Sequence, residues 1–214
     1  MALVIQEIAY PTSDGRPMAE TDRHRRIMTA LIQVLEVFYA ADPQVYVSGN
    51  MLLYYIPGNK RRHVSPDVFV VKRVPKRERL YYLLWEEAKS PNLVIEVTSS
   101  STRSEDVKKK FLLYQDVLKV QEYFLFDPFE DYLDPSLQGY RLRQGKYCPI
   151  RPIGGRLPSS VLGVHLERDG LDLRLFESKM QKWLPTPEER IAQTEEEVAR
   201  LRRELEMLRQ QTRT

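Results

Sequence analysis

Ser65-Pro66-Asp67-Val68-Phe69-Val70-Val71 and Leu93-Val94-Ile95-Glu96-Val97-Thr98 are the two stretches whose reading decides the fold. Each is an apolar, β-branched run that carries one acid. Alternation with polar residues is nearly absent, so both read as strands covered on both faces. Pro66 opens the first strand, where no ladder donor is needed. Alternation puts Val94, Glu96 and Thr98 on one face of the second strand and Leu93, Ile95 and Val97 on the other. A carboxylate in such a run is costly unless it is paired or holds a cation. Two of them, on strands that can be neighbours, predict a metal site.

Outward from these strands, Ile27, Leu31, Val34, Leu35 and Phe38 recur at helical spacing and predict a helix from about Thr21 to Tyr39, capped by Thr21 or Asp22. Glu20 and His24 stand at its start. They read either as a surface pair or as residues facing the site, Glu20 then being a further acid. Val45-Tyr46-Val47 and Met51 to Ile56 read as two short strands or one bent strand around Ser48-Gly49-Asn50. Tyr81, Tyr82 and Trp85 could stack on bases or cover a core edge. After Glu96 a polar turn leads to Ser104, a good N-cap. The helix it starts places Asp106, Lys110 and Tyr114 on one stripe and Val107 and Phe111 on the stripe beside it. Glu122 to Asp127 is another buried strand, stopped by Pro128. Strand, helix, strand with short connections is the crossover unit of a mixed or parallel sheet. A peripheral hairpin over 139–148, a loop-rich stretch over 151–163 and a last short strand from Leu171 to Phe176 complete the body.

The chain has 214 residues, enough for one domain with a real core and an appendage. Its 33 Lys+Arg against 30 Asp+Glu are too nearly balanced to identify a partner. Their distribution says more. Lys60, Arg61, Arg62, Lys72, Arg73, Lys76, Arg77 and Arg79 bracket Asp67. Such a cluster suits nucleic-acid phosphate, and it equally suits a solvated loop. Cys148 is the only cysteine, so no intrachain disulfide forms, and a structural zinc site is not expected. No apolar run approaches a membrane span, and the N-terminus shows no secretory pattern. The expected address is the cytoplasm, with no membrane partner.

Composition shifts at Leu184-Pro185-Thr186-Pro187. This divides the chain into a body over 1–184 and a C-terminal helix over 185–214. Thr186 and Glu189 form a capping box, with Pro187 in the first helical position. Ile191, Thr194, Val198, Leu201, Leu205 and Leu208 occupy the a and d positions of a heptad. The flanking pairs Arg190 and Glu195, Glu197 and Arg202, Glu204 and Arg209 are opposite in sign. The pattern predicts a parallel homodimeric coil over 187–211. The alternative is a helix docked on its own domain or frayed.

Asp67, Glu96 and Lys110 are the parts of a divalent-metal phosphodiesterase centre. The two carboxylates and the main-chain carbonyl of Val97 are oxygen ligands suited to Mg2+ or Mn2+. Lys110 would orient or deprotonate a water, or neutralise charge in the transition state. Thr98 and Tyr114 are candidate accessory residues beside Glu20 and His24.

Pro66-Asp67 and Glu96-Val97-Thr98, set in strands and followed by a helix, resemble the PD-(D/E)XK nuclease superfamily. More closely, the chain is similar to the Uma family of restriction-endonuclease-like bacterial proteins. Val47-Ser48-Gly49-Asn50, Val64 to Val70, Val94 to Ser99, Ser101-Thr102-Arg103, Asp106 with Lys110 and Tyr114, and Glu122 to Pro128 carry the likeness over roughly residues 18–180. The resemblance implies an α/β restriction-endonuclease-like fold, a central mixed sheet flanked by helices, and a Mg2+-dependent nuclease-like centre in which Asp67 and Glu96 match the superfamily's acids. The superfamily's lysine lies two residues after the second acid, where this chain has Thr98, so Lys110 is left to supply the amine from the next helix. The expected function is a Mg2+- or Mn2+-dependent endonuclease acting on nucleic acid, DNA in the first place. The alternative is a catalytically inactive nucleic-acid-binding or assembly module that keeps the fold.

Overall fold

The computed structural model describes residues 9–13, 21–98 and 105–211, with backbone only at 105–107 and 211. Helix α1 spans Asp22–Phe38. The Thr21 hydroxyl accepts the His24 N–H at 3.2 Å, and Asp22 complements the positive end of the helix dipole. Its buried face is Ile27, Met28, Leu31 and Leu35. The strands and the next short helix follow as β1 Val45–Ser48, β2 Leu53–Tyr54, β3 His63–Val64, β4 Val68–Lys72, β5 Tyr82–Leu83, α2 Leu84–Glu87 and β6 Leu93–Val97.

Past β6 the described backbone resumes in two π-helical stretches, Glu105–Lys110 and Leu113–Val117. The crossover helix expected there is present but wound wider than an α-helix, and its expected cap Ser104 lies outside the described residues. Then come β7 Glu122–Phe126, β8 Leu137–Arg143, β9 Lys146–Pro149, β10 Leu157–Pro158, β11 His165–Asp169, β12 Asp172–Glu177, β13 Lys182–Trp183 and α3 Pro187–Gln211.

The central sheet has the order β1-β4-β6-β7-β8-β9. Only β6 and β7 run parallel, joined by the π-helical crossover, and the other neighbours are antiparallel. This is a mixed α/β architecture, as expected. All five residues of β6 and of β7 are buried, which explains why neither strand alternates in sequence.

Each face of the sheet has its own core. On one, Val68, Val70, Ile95 and Phe124 pack against α1 and against the strands after residue 157. On the other, Phe69, Val71, Val94 and Tyr123 pack against Tyr82, Tyr114 and Tyr147. Strand parity therefore sends Asp67 and Glu96 to the second face, the one under the π-helical segment.

Of the two readings of 45–56, two short strands is the one found: β1 joins the central sheet, whereas β2 joins a separate sheet of order β3-β2-β5. Asn50, at φ 50°, turns the chain between them. One expectation is corrected: Leu171 to Phe176 is not the last strand, since β12 is followed by β13 in a four-stranded sheet of order β10-β11-β12-β13. The sequence hides β11 because His165-Leu166-Glu167-Arg168-Asp169 offers one apolar residue, Leu166, to the core. Of the aromatic excursion, Tyr82 is fully buried, while Tyr81 and Trp85 pack around Tyr10 with ring centroids 6.0 and 5.3 Å away. These rings cover a core edge. No described helix is long and apolar enough to cross a membrane.

One buried acid is purely architectural. Glu122 is 0% exposed at the start of β7. Its carboxylate accepts from the hydroxyls of Ser159 and Ser160, from the Ser160 and Val161 amides and from Arg141. This stitches the loop before β11 to the central sheet. Burial pushes the Glu122 carboxyl up, but the bonds from Ser159, Ser160 and Arg141 outweigh it and hold the group below its usual value. A depressed carboxyl contributes stability above the unfolded value, and that contribution is lost as pH falls through the folded one. Thermal melting followed from pH 7 downward is expected to fall off below about pH 4.3 in the wild type. Glu122→Gln, already destabilised at pH 7, should show a flatter acid limb.

Candidate active site

Asp67 sits immediately before β4, and its position is set by contacts on three sides. Its main-chain oxygen lies against Gly49, where an added Cβ would stand 1.9 Å from it. The Asn50 N–H donates to the Pro66 carbonyl at 2.8 Å. The Asp67 N–H reaches Glu96 Oε2 at 3.4 Å. The side chain is held as well, since Oδ2 accepts the Val97 N–H at 2.8 Å. His24 Nε2 from α1 approaches the same oxygen to 2.9 Å, an electrostatic contact rather than an aligned hydrogen bond.

Glu96 projects from the middle of the buried β6 and is 0% exposed. An ionised carboxylate there needs full compensation. It receives it from the crossover. The Tyr114 hydroxyl donates to Oε1 at 2.6 Å and the Lys110 ammonium to Oε2 at 2.9 Å. Lys110 and Tyr114 are four residues apart in the π-helical region, so both look down on the sheet from one side. Burial, and then the Glu96 charge, push the Tyr114 phenol well up. Tyr114 therefore keeps its proton and remains the donor.

The pair is asymmetric towards solvent. The side chains of Asp67 and Lys110 keep 12% and 15% of their exposure, whereas Glu96 keeps none. A ligand would therefore meet Asp67 and Lys110 first, with Glu96 behind them. Thr98, two residues after Glu96 and buried, has no hydrogen-bond partner for its hydroxyl among the described residues. A buried, unsatisfied hydroxyl at the edge of an acidic cluster is a ready partner for a water. The donor set fits a hard cation. Two carboxylates converge through the Asp67 N–H, and the Val97 carbonyl lies on the Asp67 side of its strand, because the N–H and C=O of a strand residue share a side. Among the described residues no group of three or more His, Cys, Asp or Glu is placed to hold a metal. A cation here would draw on two acids, the arrangement Mg2+ accepts because it retains waters.

The structure thus links Asp67 to Glu96, Val97 and His24, and Glu96 to Lys110 and Tyr114, while Thr98 follows Glu96 on the same face of the chain. Glu20 lies outside the described residues. It does not gather the basic segment. Lys60, Arg61 and Arg62 are exposed on the β2–β3 turn. Lys72 and Arg73 lie at the opposite end of β4 from Asp67. The Lys72 amine is bonded to the Val161 carbonyl, and the Lys76 amine donates to the Tyr39 carbonyl at 2.8 Å. Arg77 and Arg79 share Glu87, so both guanidinium groups are committed within the chain. The contribution sequence reasoning missed is Gly49. It was legible as a turn residue, but nothing in the chain announces that it faces the Asp67 backbone.

With this geometry in place, comparison with known proteins is informative. The family model "Uma2: Putative restriction endonuclease" matches residues 4–173. Among solved structures, the chain is similar to a crystal structure described as a putative nuclease belonging to DUF820 from Anabaena variabilis ATCC 29413. The TM-score is 0.52 and the identity 19%, over 71% of this chain and 81% of that one, a likeness of fold. No curated protein matches.

Two substitutions test how the centre is held. Gly49→Ala places a methyl group inside the Asp67 carbonyl contact. It is expected to cost about 1–3 kcal/mol, the range for overpacking a tight site, in urea denaturation. Tyr114→Phe removes the only hydroxyl on Glu96 Oε1 among the described residues. It should cost about 1–3 kcal/mol by the same measurement, because a buried charged acceptor loses a donor.

Proposed function

We propose a metal-dependent nuclease for this chain, which belongs to the Uma2 family of putative restriction endonucleases. The observation that carries the reading is the Lys110 ammonium at 2.9 Å from Glu96, whose other neighbour across the sheet is Asp67. The superfamily's lysine position is filled by Thr98, and the amine arrives at the same carboxylate from a different element. The centre thus has its acid, acid and amine despite the shifted backbone origin.

Asp67, Glu96 and the Val97 carbonyl would hold Mg2+ or Mn2+. That cation supplies charge neutralisation at a phosphoryl oxygen and lowers the pKa of a water. The protein does the remaining work. Tyr114 and Lys110 keep the buried Glu96 oriented. The Val97 N–H and His24 keep Asp67 turned to the same point. Thr98 offers its hydroxyl to a water at the rim. Lys110, the partly exposed cation, donates to the phosphate as negative charge builds in the transition state. The substrate we assign is nucleic acid, DNA first. The exposed Lys60, Arg61 and Arg62 supply its sequence-independent phosphate contacts, and residues 1–184 form the body that carries the reaction.

Supercoiled plasmid incubated with Mg2+ or Mn2+ should be nicked or linearised, and chelation should stop it. Asp67→Ala and Glu96→Ala are expected to abolish cleavage and to weaken Mn2+ binding measured by electron paramagnetic resonance. Lys110→Ala should cut the rate roughly 10²–10⁴-fold, the range for loss of a positioned proton-transfer or charge-stabilising group, while Mn2+ still binds. A wild type that binds DNA and Mn2+ but cleaves neither duplex nor single strand would reduce the chain to a binding module.

A further inference from the structure

The C-terminal helix takes no part in the centre, and its own body leaves its apolar face uncovered. Helix α3 runs unbroken for 25 residues, about 37 Å at 1.5 Å per residue. Its first turn is tied down. The Thr186 N–H donates to Glu189 Oε2 at 2.9 Å, the Glu189 N–H returns to the Thr186 hydroxyl at 3.2 Å, and Arg174 of β12 pairs with Glu189 at 2.9 Å. Its first two turns flank α1, and every residue from 191 to 210 is exposed. Ile191, Val198, Leu201, Leu205 and Leu208 are 60, 41, 50, 50 and 59% exposed. A helix docked on its own domain would hide this stripe. An open groove of about 500 Å³ between α1 and the base of α3 is lined by Val34, Val37, Ile191 and Thr194 among others. It extends the apolar surface from the helix onto the body.

We propose that α3 pairs in parallel and in register with α3 of a second copy of this chain. Three independent features select that occupant. The stripe follows a strict alternation of three and four residues from Ile191 to Leu208, the seam of a coiled coil rather than the broader face that docks into a groove. Its a positions begin with the β-branched Ile191 and Val198 and its d positions end with Leu201 and Leu208, the choice that favours two strands.

Charge then selects the orientation. In a parallel pair each g residue meets the partner's following e residue. This sets Arg190 against Glu195, Glu197 against Arg202 and Glu204 against Arg209, each counted twice by symmetry. An antiparallel pair that keeps the apolar layers together brings g to g and e to e: Glu195 still meets Arg202, but Glu197 then faces Glu204, so only the parallel pair makes every flanking contact opposite in sign. Within the single helix, Arg200 holds Glu197 at 2.6 Å and approaches Glu204 to 3.9 Å, so these glutamates already stand on the flank of the seam. Thr194, the one polar d residue, satisfies its hydroxyl on its own Arg190 carbonyl at 2.8 Å.

The test reads mass and cross-links rather than cleavage, so it stands apart from the nuclease assignment. The full chain in analytical ultracentrifugation is expected to sediment as a dimer that dissociates on dilution, with Leu201→Glu/Leu205→Glu monomeric and unchanged in near-ultraviolet circular dichroism. Glu197→Arg should weaken the dimer at least tenfold, and adding Arg202→Glu to it should restore the dimer. In a Cys148→Ser background, Thr194→Cys should oxidise to a disulfide-linked dimer, because only a parallel seam brings residue 194 to its own copy. A wild type that stays monomeric at every concentration, a dimer indifferent to Leu201→Glu/Leu205→Glu, failure of the Arg202→Glu rescue, or no cross-link at 194 overturns the proposal.

Discussion

The structure turns on one constraint: the carboxylate of Glu96 is wholly removed from water and must be compensated inside the protein. Desolvating an ionised carboxylate costs several kcal/mol even after relaxation, more than any single surface pair returns. The fold meets that cost from three directions. Tyr114 and Lys110 descend from the crossover, and the Asp67 N–H comes from the neighbouring strand. Because these groups come from elements far apart in the chain, Glu96 can be satisfied only once the sheet and its crossover have assembled. The same convergence that makes the acid tolerable brings a second carboxylate and an amine to it.

That requirement explains much of the architecture around it. The parallel pair β6–β7 exists because a crossover must return over the sheet, and the returning segment carries the two residues that cap Glu96. The π-helical winding keeps both of them turned to the sheet. Gly49 is small so that the turn after β1 can lie on the Asp67 backbone. On the opposite face, Glu122 solves a related problem with the opposite result. It too is fully buried, but serines, main-chain amides and Arg141 satisfy it completely. A buried acid surrounded by donors that belong to a static loop is a rivet. A buried acid whose neighbours include a second carboxylate and a partly exposed amine is a candidate site.

Family membership and geometry divide the labour of the functional argument. The match over residues 4–173 places the chain among restriction-endonuclease-like proteins, and the solved relative agrees at the level of fold. Neither says which atoms act. The contact of Lys110 with Glu96 has to be read from the coordinates, because the two lie 14 residues apart on different elements. The basic segment shows the reverse. Its density in sequence suggests a phosphate track, yet folding spends Lys72, Lys76, Arg77 and Arg79 on carbonyls and on Glu87 and leaves the triplet at 60–62 on an exposed turn.

The sequence by itself determined the elements whose signal is local. Uninterrupted β-branched runs mark the buried strands with Asp67 and Glu96, helical periodicity marks α1, and the capping box with its heptads marks α3. Each depends on nearest neighbours along the chain. Tertiary structure decided what depends on distant partners. It set β2 apart from β1, built a sheet around β11 although that strand buries one apolar residue, and aimed Lys110 at Glu96. It also set Gly49 against Asp67 and made Glu122 a structural tie. These outcomes follow from which strands pair and in what register, and a one-residue change of register would turn every side chain of a strand to the other face. The candidate residues could therefore be named from the chain, but their convergence on one carboxylate is a property of the packed sheet.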